Sequence, residues 1–363
     1  MENLIKRVYF LIIKLITIAM FPVRIKSGHI TVLMTFPDDM MPIITTLHEE
    51  GYDLTVITNK TNNHLLQNLA HTTVINSNQS HVLQQVKALK EAKVVIIDNY
   101  YLLLGGFRKN KDQTIIQTWH ASGALKLFGL ADHQVDNNNK KIVAQYKKVY
   151  NATDYYLIGS DNMSQCFATA YATNEHQMLK YGLPRLQQYF ITDMKQLKKK
   201  LKERYHINKK LVVYLPTYRE NTDNKTLDKA YFEQQLPNYT LISKYHPSVK
   251  TNDNSLITTP ELLIMADLII SDYSSIPIEA SLINTPTIFF VYDEEEYEKT
   301  RGLNSYYYQI PAAYKVKSEG ELIALIRESH TAFLPIFKDW HQYNDENSMT
   351  KLIKFIESVM KNK

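Results

Sequence analysis

Residues 268–279 read LIISDYSSIPIE, and this stretch decides the fold. Its first part, LIIS, is a short apolar run with the length of a buried strand. Two serines and then Pro277 follow, and serine shortly before a proline is typical of the start of a helix. A buried strand that turns directly into a helix is the repeating unit of a parallel sheet with crossover helices.

The same alternation extends to both sides of this unit through the second half of the chain. Strands are predicted there at residues 211–215, 240–245, 256–259, 268–271 and 287–291. Helices between them are predicted at residues 226–234 and 276–283.

The first half shows an alternation of its own. Its predicted strands are residues 30–36, 54–58, 94–98, 115–119 and 155–159, and its predicted helices are residues 41–50 and 81–92. Two successive alternations predict an α/β protein with two Rossmann-like, doubly wound domains that face a cleft. The predicted limits are 1–26 for an N-terminal amphipathic helix, 27–195 and 196–345 for the two domains, and 346–363 for a closing amphipathic helix. The Lys-rich stretch 194–210 is predicted to be a solvated connecting helix rather than a binding patch.

The composition limits the kinds of site that the chain can form. Of its 363 residues, 44% are hydrophobic and 22% charged, which is normal for a globular protein. Gly is scarce at 10 residues, so a phosphate site must use helix N-termini, hydroxyls and basic side chains. Cys166 is the only cysteine, which excludes an internal disulfide and a cysteine-based zinc site and fits a reducing cytoplasm. The net charge of +5 suits an acidic membrane surface or a phosphorylated substrate.

The N-terminal stretch 4–23 is apolar but interrupted by charge. Its apolar run after Lys14 is too short for a membrane span, and no small-residue cleavage site follows it. Together with Arg7, Arg24 and Lys26, Lys14 favours a helix that lies in a membrane interface. A core helix packed on the first domain is the alternative. The apolar face of the interfacial helix would consist of Leu4, Val8, Leu11, Ile12, Leu15, Ile18 and Phe21.

Polar residues that directly follow predicted strands are the candidates for the site, because ligands of doubly wound sheets bind beyond the carboxyl ends of the strands. His120 ends a predicted strand and enters a turn of small residues. A neutral imidazole there could accept a proton from an alcohol nucleophile, although a structural histidine fits the spacing equally well. Lys126, a few residues on, could attract an anionic group.

A second group of candidates follows two strands of the second half. Thr217 and Arg219 lie in the motif PTYR after one strand, and the planar fork of an arginine matches phosphate oxygens. His246 follows the next strand, and Pro247 favours an extended backbone that fixes its direction. A surface arginine and a turn histidine bonded to the backbone are the alternatives.

The third group lies in the opening stretch itself. Asp272 ends the strand, and Ser274 and Ser275 precede the helix, whose N-terminus presents N–H groups and hydroxyls to an anion. Glu279 lies one turn into the helix and could reach a ribose hydroxyl. An ordinary capped helix is the alternative.

In this order, the three groups resemble the CDP-glycerol glycerophosphotransferase family of teichoic acid synthesis. The resemblance covers residues 117–302 and rests on the ordered motifs WH, PTYR, HP, DYSS and YDEEEY. It implies a GT-B fold whose C-terminal domain binds most of the donor nucleotide. It also implies a peripheral location at the cytoplasmic face of the membrane and no required metal or other cofactor. The two histidines of the family correspond to His120 and His246.

The segment after the first histidine indicates a branch within the family. Polymerising members read WHGTPLK, whereas residues 119–126 read WHASGALK. This resembles the primase branch, which transfers the first glycerol phosphate from CDP-glycerol to a lipid-linked ManNAc-GlcNAc disaccharide. The expected partners are CDP-glycerol, this acceptor and the anionic inner membrane surface, and the spread of the basic residues argues against nucleic acid.

The resemblance also suggests roles for the candidates. His120 is expected to act as the general base on the acceptor hydroxyl, and His246 to contact the pyrophosphate and stabilise charge on the leaving CMP. The pyrophosphate is expected to be held without a metal by hydroxyls, N–H groups and a guanidinium, from Thr217, Arg219, Ser274 and Ser275.

Other functions remain open at this point. A later-step glycerol- or ribitol-phosphate transferase fits the same motifs. A transferase that uses a UDP-sugar is a more distant enzyme alternative, and a catalytically dead GT-B membrane adaptor is the non-enzyme alternative. Retention of both histidines, Arg219 and the serine pair argues against the adaptor.

Overall fold

A computed structural model gives the fold, and it describes residues 2–219, 224–246, 249, 255–328 and 336–361. The first of its two sheets consists of β1 (His29–Met34), β2 (Asp53–Thr58), β3 (Thr72–Asn76), β4 (Val94–Ile97), β5 (Thr114–Gln117), β6 (Tyr155–Leu157) and β7 (Met178–Leu179). Their order is β3-β2-β1-β4-β5-β6-β7, and neighbouring strands are parallel.

The second sheet consists of β8 (Lys210–Tyr214), β9 (Tyr239–Ser243), β10 (Leu268–Ser271), β11 (Thr287–Phe290) and β12 (Lys315–Val316). Its order is β12-β11-β10-β8-β9, again with parallel neighbours. The predicted α/β class is therefore confirmed, and each predicted alternation contains one sheet. The predicted domain limits stay a prediction.

Helices connect the strands. They are α1 (Glu2–Ala19), α2 (Pro37–Glu49), α3 (Val82–Glu91), α4 (Lys140–Tyr150), α5 (Asp161–Tyr171), α6 (Gln188–Ile191), α7 (Met194–Arg204), α8 (Lys229–Gln235), α9 (Thr259–Met265), α10 (Ile276–Leu282), α11 (Glu294–Thr300), α12 (Glu319–Glu328) and α13 (Ser348–Lys361). Over the described ranges, none of these helices combines the length and the apolarity that crossing a bilayer requires. The Lys-rich α7 is mostly exposed and buries Leu201.

Strand direction determines where a site can form. β1 is buried at every position, which is the pattern of a strand covered on both faces. The residues that follow β1, β4 and β5 meet at one edge of the first sheet, because these neighbouring strands are parallel. For the same reason, the residues that follow β8, β9 and β10 meet at one edge of the second sheet.

One predicted strand is wrong. Residues 256–259 form a loop that leads into α9, and Leu256 is 98% exposed. The Thr258 side chain accepts a hydrogen bond from the Glu261 N–H, and the Glu261 carboxylate accepts one from the Thr258 N–H. This reciprocal capping begins a helix where the apolar run alone suggested a strand. The edge strand β3, which is partly exposed, was not predicted at all.

The last helix returns to the first sheet. Leu352, Ile353 and Ile356 of α13 are buried in one cluster with residues of β1, β4 and β6. The Phe355 ring meets the Tyr155 ring of β6 edge-on, with 5.0 Å between centroids. The predicted amphipathic helix at residues 348–360 is thus present, and its apolar face is covered by the body of the protein.

The first helix combines two surfaces that the sequence offered as alternatives. Phe10 and Ile13 are buried against the first sheet, as in a core helix. The opposite side is apolar and exposed, at Leu4, Ile5, Val8, Leu11, Ile12, Leu15 and Ile18. The proposed contact of this surface with a membrane stays a prediction.

The two halves of the chain are joined by backbone hydrogen bonds and by a shared apolar cluster. The Leu127 N–H donates to the Gly302 carbonyl at 2.9 Å, and the Asn304 N–H donates to the Leu125 carbonyl at 2.8 Å. Leu125 and Leu303 are both buried in this cluster. The segment that follows His120 therefore lies directly against the second half.

Candidate active site

His120 lies in the turn that follows β5. Its Nδ1 lies 2.7 Å from the carbonyl oxygen of Asp98, and its ring stacks on Phe36 with 3.9 Å between centroids. A carbonyl can only accept, so Nδ1 carries the proton and Nε2 keeps a free lone pair. The preceding Trp119 has a left-handed φ of 64°, which is rare for a bulky residue and typical of functional turns.

The protonation state of His120 suits a base. Burial lowers its pKa to about 4, and the nearby charges of Lys126 and Arg185 act in the same direction. The imidazole is therefore neutral at neutral pH and can accept a proton. The structure thus places the predicted base in a suitable tautomer.

Asp98 supports this turn. Its carboxylate accepts hydrogen bonds from the N–H groups of Thr35 and Phe36 at 2.8 and 2.7 Å and from the Tyr101 hydroxyl at 2.6 Å. Burial raises the pKa of Asp98 to about 6, although these hydrogen bonds oppose the shift. Through its carboxylate and its carbonyl, Asp98 ties the ends of β1, β4 and β5 together. Sequence reasoning missed this residue, although it is the last residue of the predicted strand 94–98.

Arg219 is surrounded by two carboxylates. Its Nη1 donates to Asp272 at 2.6 Å, and its Nε and Nη2 donate to Asp293 at 2.8 and 2.9 Å. The guanidinium also lies over the Tyr292 ring, 5.1 Å from the centroid. A phosphate that contacts Arg219 must therefore share it with Asp272 and Asp293. Asp293 belongs to the motif YDEEEY, but sequence reasoning did not identify it as a site residue.

Asp272 joins β8 to β10. Its carboxylate accepts from the Thr217 N–H at 2.9 Å and from the Thr217 hydroxyl at 2.7 Å. Both residues are buried. Thr217, Arg219 and Asp272 are thus brought together, as their positions after neighbouring strands predict.

The serine pair precedes α10. The Ser274 Oγ accepts from the Ile276 N–H at 3.0 Å, whereas Ser275 occupies the N-cap position without a side-chain capping bond. Both serines are partly exposed. The Ser275 hydroxyl is therefore not used in capping the helix.

Glu279 lies in a buried network. Its carboxylate accepts from Arg185 at 2.5 and 2.8 Å, from the Tyr189 hydroxyl at 2.7 Å and from the Ser122 hydroxyl at 3.3 Å. Burial raises the pKa of this carboxyl, but the Arg185 charge and the hydrogen bonds from Arg185, Tyr189 and Ser122 together lower it below its usual value. The predicted ribose contact would require one of these partners to be displaced.

Lys126 lies where the first half meets the second, and it forms a β-bridge with Leu303. Burial lowers the pKa of its ammonium, and the Arg301 charge lowers it further, while Asp272 opposes the shift. Within the described ranges we find no carboxylate in an ion pair with Lys126. A partly buried cation so placed favours an anionic ligand.

His246 lies at the edge of the second sheet and is exposed. Its ring stacks on the Tyr218 ring, with 4.5 Å between centroids. Pro247, which is predicted to restrain His246, lies outside the described residues, and so does Glu220, which follows Arg219. Cys166 is buried, and burial raises its pKa to about 12, which disfavours a reactive thiolate.

The chain has the same overall fold as a solved enzyme structure. Over 99% of its length, the chain matches 96% of the solved wall teichoic acid polymerase TagF, with a TM-score of 0.77 and 18% identity. At this identity the match concerns the fold alone.

Comparison of sequences identifies the family. Residues 34–358 match the sequence profile of the CDP-glycerol:poly(glycerophosphate) glycerophosphotransferases, so the chain belongs to this enzyme family. It is 49% identical over 365 residues to the teichoic acid glycerol-phosphate primase of Staphylococcus aureus (strain NCTC 8325 / PS 47), covering 99% of this chain and 100% of the relative. It is 34% identical to the Bacillus subtilis (strain 168) teichoic acid glycerol-phosphate primase, covering 78% of each chain.

Proposed function

We propose that this enzyme is a teichoic acid glycerol-phosphate primase. It transfers glycerol phosphate from CDP-glycerol to the undecaprenyl-diphosphate-linked ManNAc-GlcNAc disaccharide and releases CMP. The similarity to the Staphylococcus aureus primase over 99% of this chain supports this assignment. The structural observation that carries it is the neutral His120, fixed through Nδ1 with Nε2 free at the edge of the first sheet.

The chemical step follows from this geometry. The acceptor hydroxyl attacks the β-phosphorus that carries glycerol, its proton moves to Nε2 of His120, and the bond from the β-phosphorus to the oxygen bridging the α- and β-phosphates breaks. CMP leaves with that bond's electron pair. His246, on the opposite half, contacts the pyrophosphate and stabilises this charge.

The donor is held mainly by the second half of the chain. The first and second sheets form the acceptor and donor domains of a GT-B enzyme, with His120 and Lys126 reaching the donor from the first. The substrate-binding set consists of Lys126, Thr217, Arg219, Asp272, Ser274, Ser275 and Glu279. Its cations offset the charge of the pyrophosphate without a metal, its hydroxyls donate hydrogen bonds, and its carboxylates position neighbouring groups.

The acceptor's lipid keeps the reaction at the cytoplasmic face of the membrane. The exposed apolar side of α1 supports a peripheral attachment there, since such a surface lowers its free energy by entering the lipid interface. Leu15→Asp is expected to reduce binding to vesicles, while Leu83→Asp, at an equally exposed apolar residue of α3, serves as the matched control.

The assignment is tested by product analysis with purified protein, CDP-glycerol and a synthetic lipid-linked disaccharide. Addition of one glycerol phosphate per acceptor, undiminished by EDTA, is the expected result. Several added units, or transfer only from CDP-ribitol, would assign a later-step transferase. Loss of turnover in EDTA with recovery in Mg²⁺ would refute the metal-free donor site, and no transfer from either donor would favour the adaptor.

A further inference from the structure

A basic cavity lies against the first helix. It has a volume of about 340 Å³ and is bounded by α1, the turn 105–108 and α4. None of its lining side chains is acidic, and its cations are Arg7, Lys14, Arg108 and Lys148. In the part of the chain that the structure describes, we find none of the four in an ion pair with a carboxylate.

The side chains of α1 fall into three sectors, because successive residues of a helix are rotated by about 100°. Phe10, Ile13 and Thr17 form the buried sector. Arg7 and Lys14, two turns apart, form a basic sector along one side of it, and both line the cavity. The remaining sector is apolar and exposed, with Leu4 at 64% and Leu15 at 57% of full exposure.

The basic sector and the exposed apolar sector share a border. Leu11 belongs to the exposed apolar sector and also lines the basic cavity. A molecule with an anionic head and an apolar tail could therefore place its head in the cavity and its tail along Leu11. A small soluble anion would make no use of the apolar sector.

Two glycines hold the cavity in shape. A Cβ on Gly106 would lie 2.5 Å from the Phe10 carbonyl oxygen, and one on Gly105 would lie 2.5 Å from the Phe10 ring. The turn therefore packs directly against the backbone of α1. This contact holds the backbone of the turn that carries Arg108 beside α1, so Arg108, Arg7 and Lys14 line the same cavity.

We infer that the basic cavity binds the phosphate of an anionic phospholipid headgroup while the exposed apolar sector of α1 enters the lipid interface. A guanidinium matches two phosphate oxygens at once, and the lysines add charge. The inference rests on the proposed membrane location and adds a specific lipid site to it. Such a site would set the depth and orientation of the enzyme on the membrane.

Vesicle co-sedimentation of the full-length protein tests the site. The variant Arg108→Gln/Lys148→Gln leaves α1 unchanged, and Lys195→Gln/Lys200→Gln on the exposed side of α7 removes the same charge elsewhere. With phosphatidylglycerol-containing vesicles, we expect binding of the first variant to fall about tenfold and that of the second to change less than about twofold. Equal losses by the two variants would overturn the inference, because they would show that only the net charge matters.

A second comparison separates a phosphate site from diffuse attraction. Arg108→Lys keeps the charge but loses the planar fork, so we expect it to bind phosphatidylglycerol vesicles more weakly than the wild type does. Unchanged binding of Arg108→Lys to these vesicles would overturn the inference. Transfer to a water-soluble disaccharide acceptor separates this result from the proposed function, and we expect Arg108→Gln/Lys148→Gln to retain it at the wild-type level. Absence of transfer from CDP-glycerol to the lipid-linked disaccharide in the wild type would refute the proposed function and leave the vesicle result intact.

Discussion

At the residue scale, His120 is the side chain whose surroundings best suit proton transfer. Its Nδ1 is held by the Asp98 carbonyl, so the free Nε2 is the group that a substitution removes. We expect His120→Ala to lower kcat by at least about a hundredfold without unfolding the protein. The exposed His176→Ala is the control. Turnover near that of the wild type in a folded His120→Ala protein would exclude the role of base.

The pH profile gives an independent check on this histidine. Its pKa is lowered to about 4, so it stays unprotonated, and active as a base, above that pH. We expect kcat/KM to stay constant as the pH is lowered to about 5, whereas an unperturbed histidine would be half protonated near pH 6.5. The pKa of Asp98 is raised to about 6, so protonation of this carboxyl could also lower activity in acid. Measuring the profile in Asp98→Asn as well removes that contribution. An acid limb near pH 6.5 in both proteins would contradict the prediction.

Arg219 is a second residue whose substitution has a clear physical outcome. Arg219→Ala leaves the carboxylates of Asp272 and Asp293 without their shared guanidinium. Breaking a buried pair in this way costs about 3–5 kcal/mol, so a loss of CDP-glycerol binding in this variant would be mixed with a loss of stability. Arg219→Lys keeps the charge, and we expect it to weaken CDP-glycerol binding, measured by calorimetry, with a smaller change in the unfolding midpoint. Unchanged binding in a folded Arg219→Lys protein would argue against a phosphate contact.

At the element scale, the attachment of α1 depends on a glycine. Ala at position 106 would bring its Cβ within 2.5 Å of the Phe10 carbonyl oxygen and 2.7 Å of the Ile13 Cβ. We expect Gly106→Ala to lower the free energy of unfolding by about 1–3 kcal/mol, which is typical of overpacking. Gly320→Ala in α12, where a Cβ meets nothing within 4 Å, is the control. Equal unfolding midpoints for the two variants in urea would show that α1 is not held by this contact.

The elements also show what sequence reasoning could and could not predict. Buried strands such as β4 were predicted almost to the residue, because a parallel strand covered on both faces is a continuous apolar run. Residues 256–259 were misassigned because a short apolar run does not distinguish a strand from the approach to a capped helix. The two faces of α1 were predicted as alternatives, since periodicity reports apolar positions but not which of them the fold covers.

Sequence reasoning selected candidate residues that the structure brings together, but it did not predict their pairings. Thr217, Arg219 and Asp272 were selected because each closely follows a predicted strand, and the structure places them together because those strands are neighbours. The pairing of Arg219 with Asp293 joins residues 74 positions apart, and that of Arg185 with Glu279 joins residues 94 apart. Neither pair has a local sequence signal, because the first depends on how the second half folds and the second on how the two halves pack.

At the scale of the whole molecule, a buried ionic network connects the two halves. Arg185 follows the first sheet, donates to Glu279 of α10 through Nη1 and Nη2, and donates to Asp39 of α2 through Nε at 2.7 Å. Ser122, two residues after His120, also donates to Glu279. The position of the His120 turn is therefore coupled to α10, which the serine pair begins.

Substitution of Glu279 distinguishes this positioning role from the ribose contact that its place in the sequence suggested. In Glu279→Gln, the buried Arg185 charge keeps only Asp39, which is partly exposed, as a counterion, so we expect the free energy of unfolding to fall by about 3 kcal/mol. KM for CDP-glycerol should stay within about twofold of the wild type, because the carboxylate is already occupied by Arg185, Tyr189 and Ser122. Glu295→Gln, at an exposed position of α11, controls for the lost charge. A rise in KM with an unchanged unfolding midpoint would instead support the ribose contact, because it would show that the Glu279 carboxylate binds the donor and does not hold the two halves together.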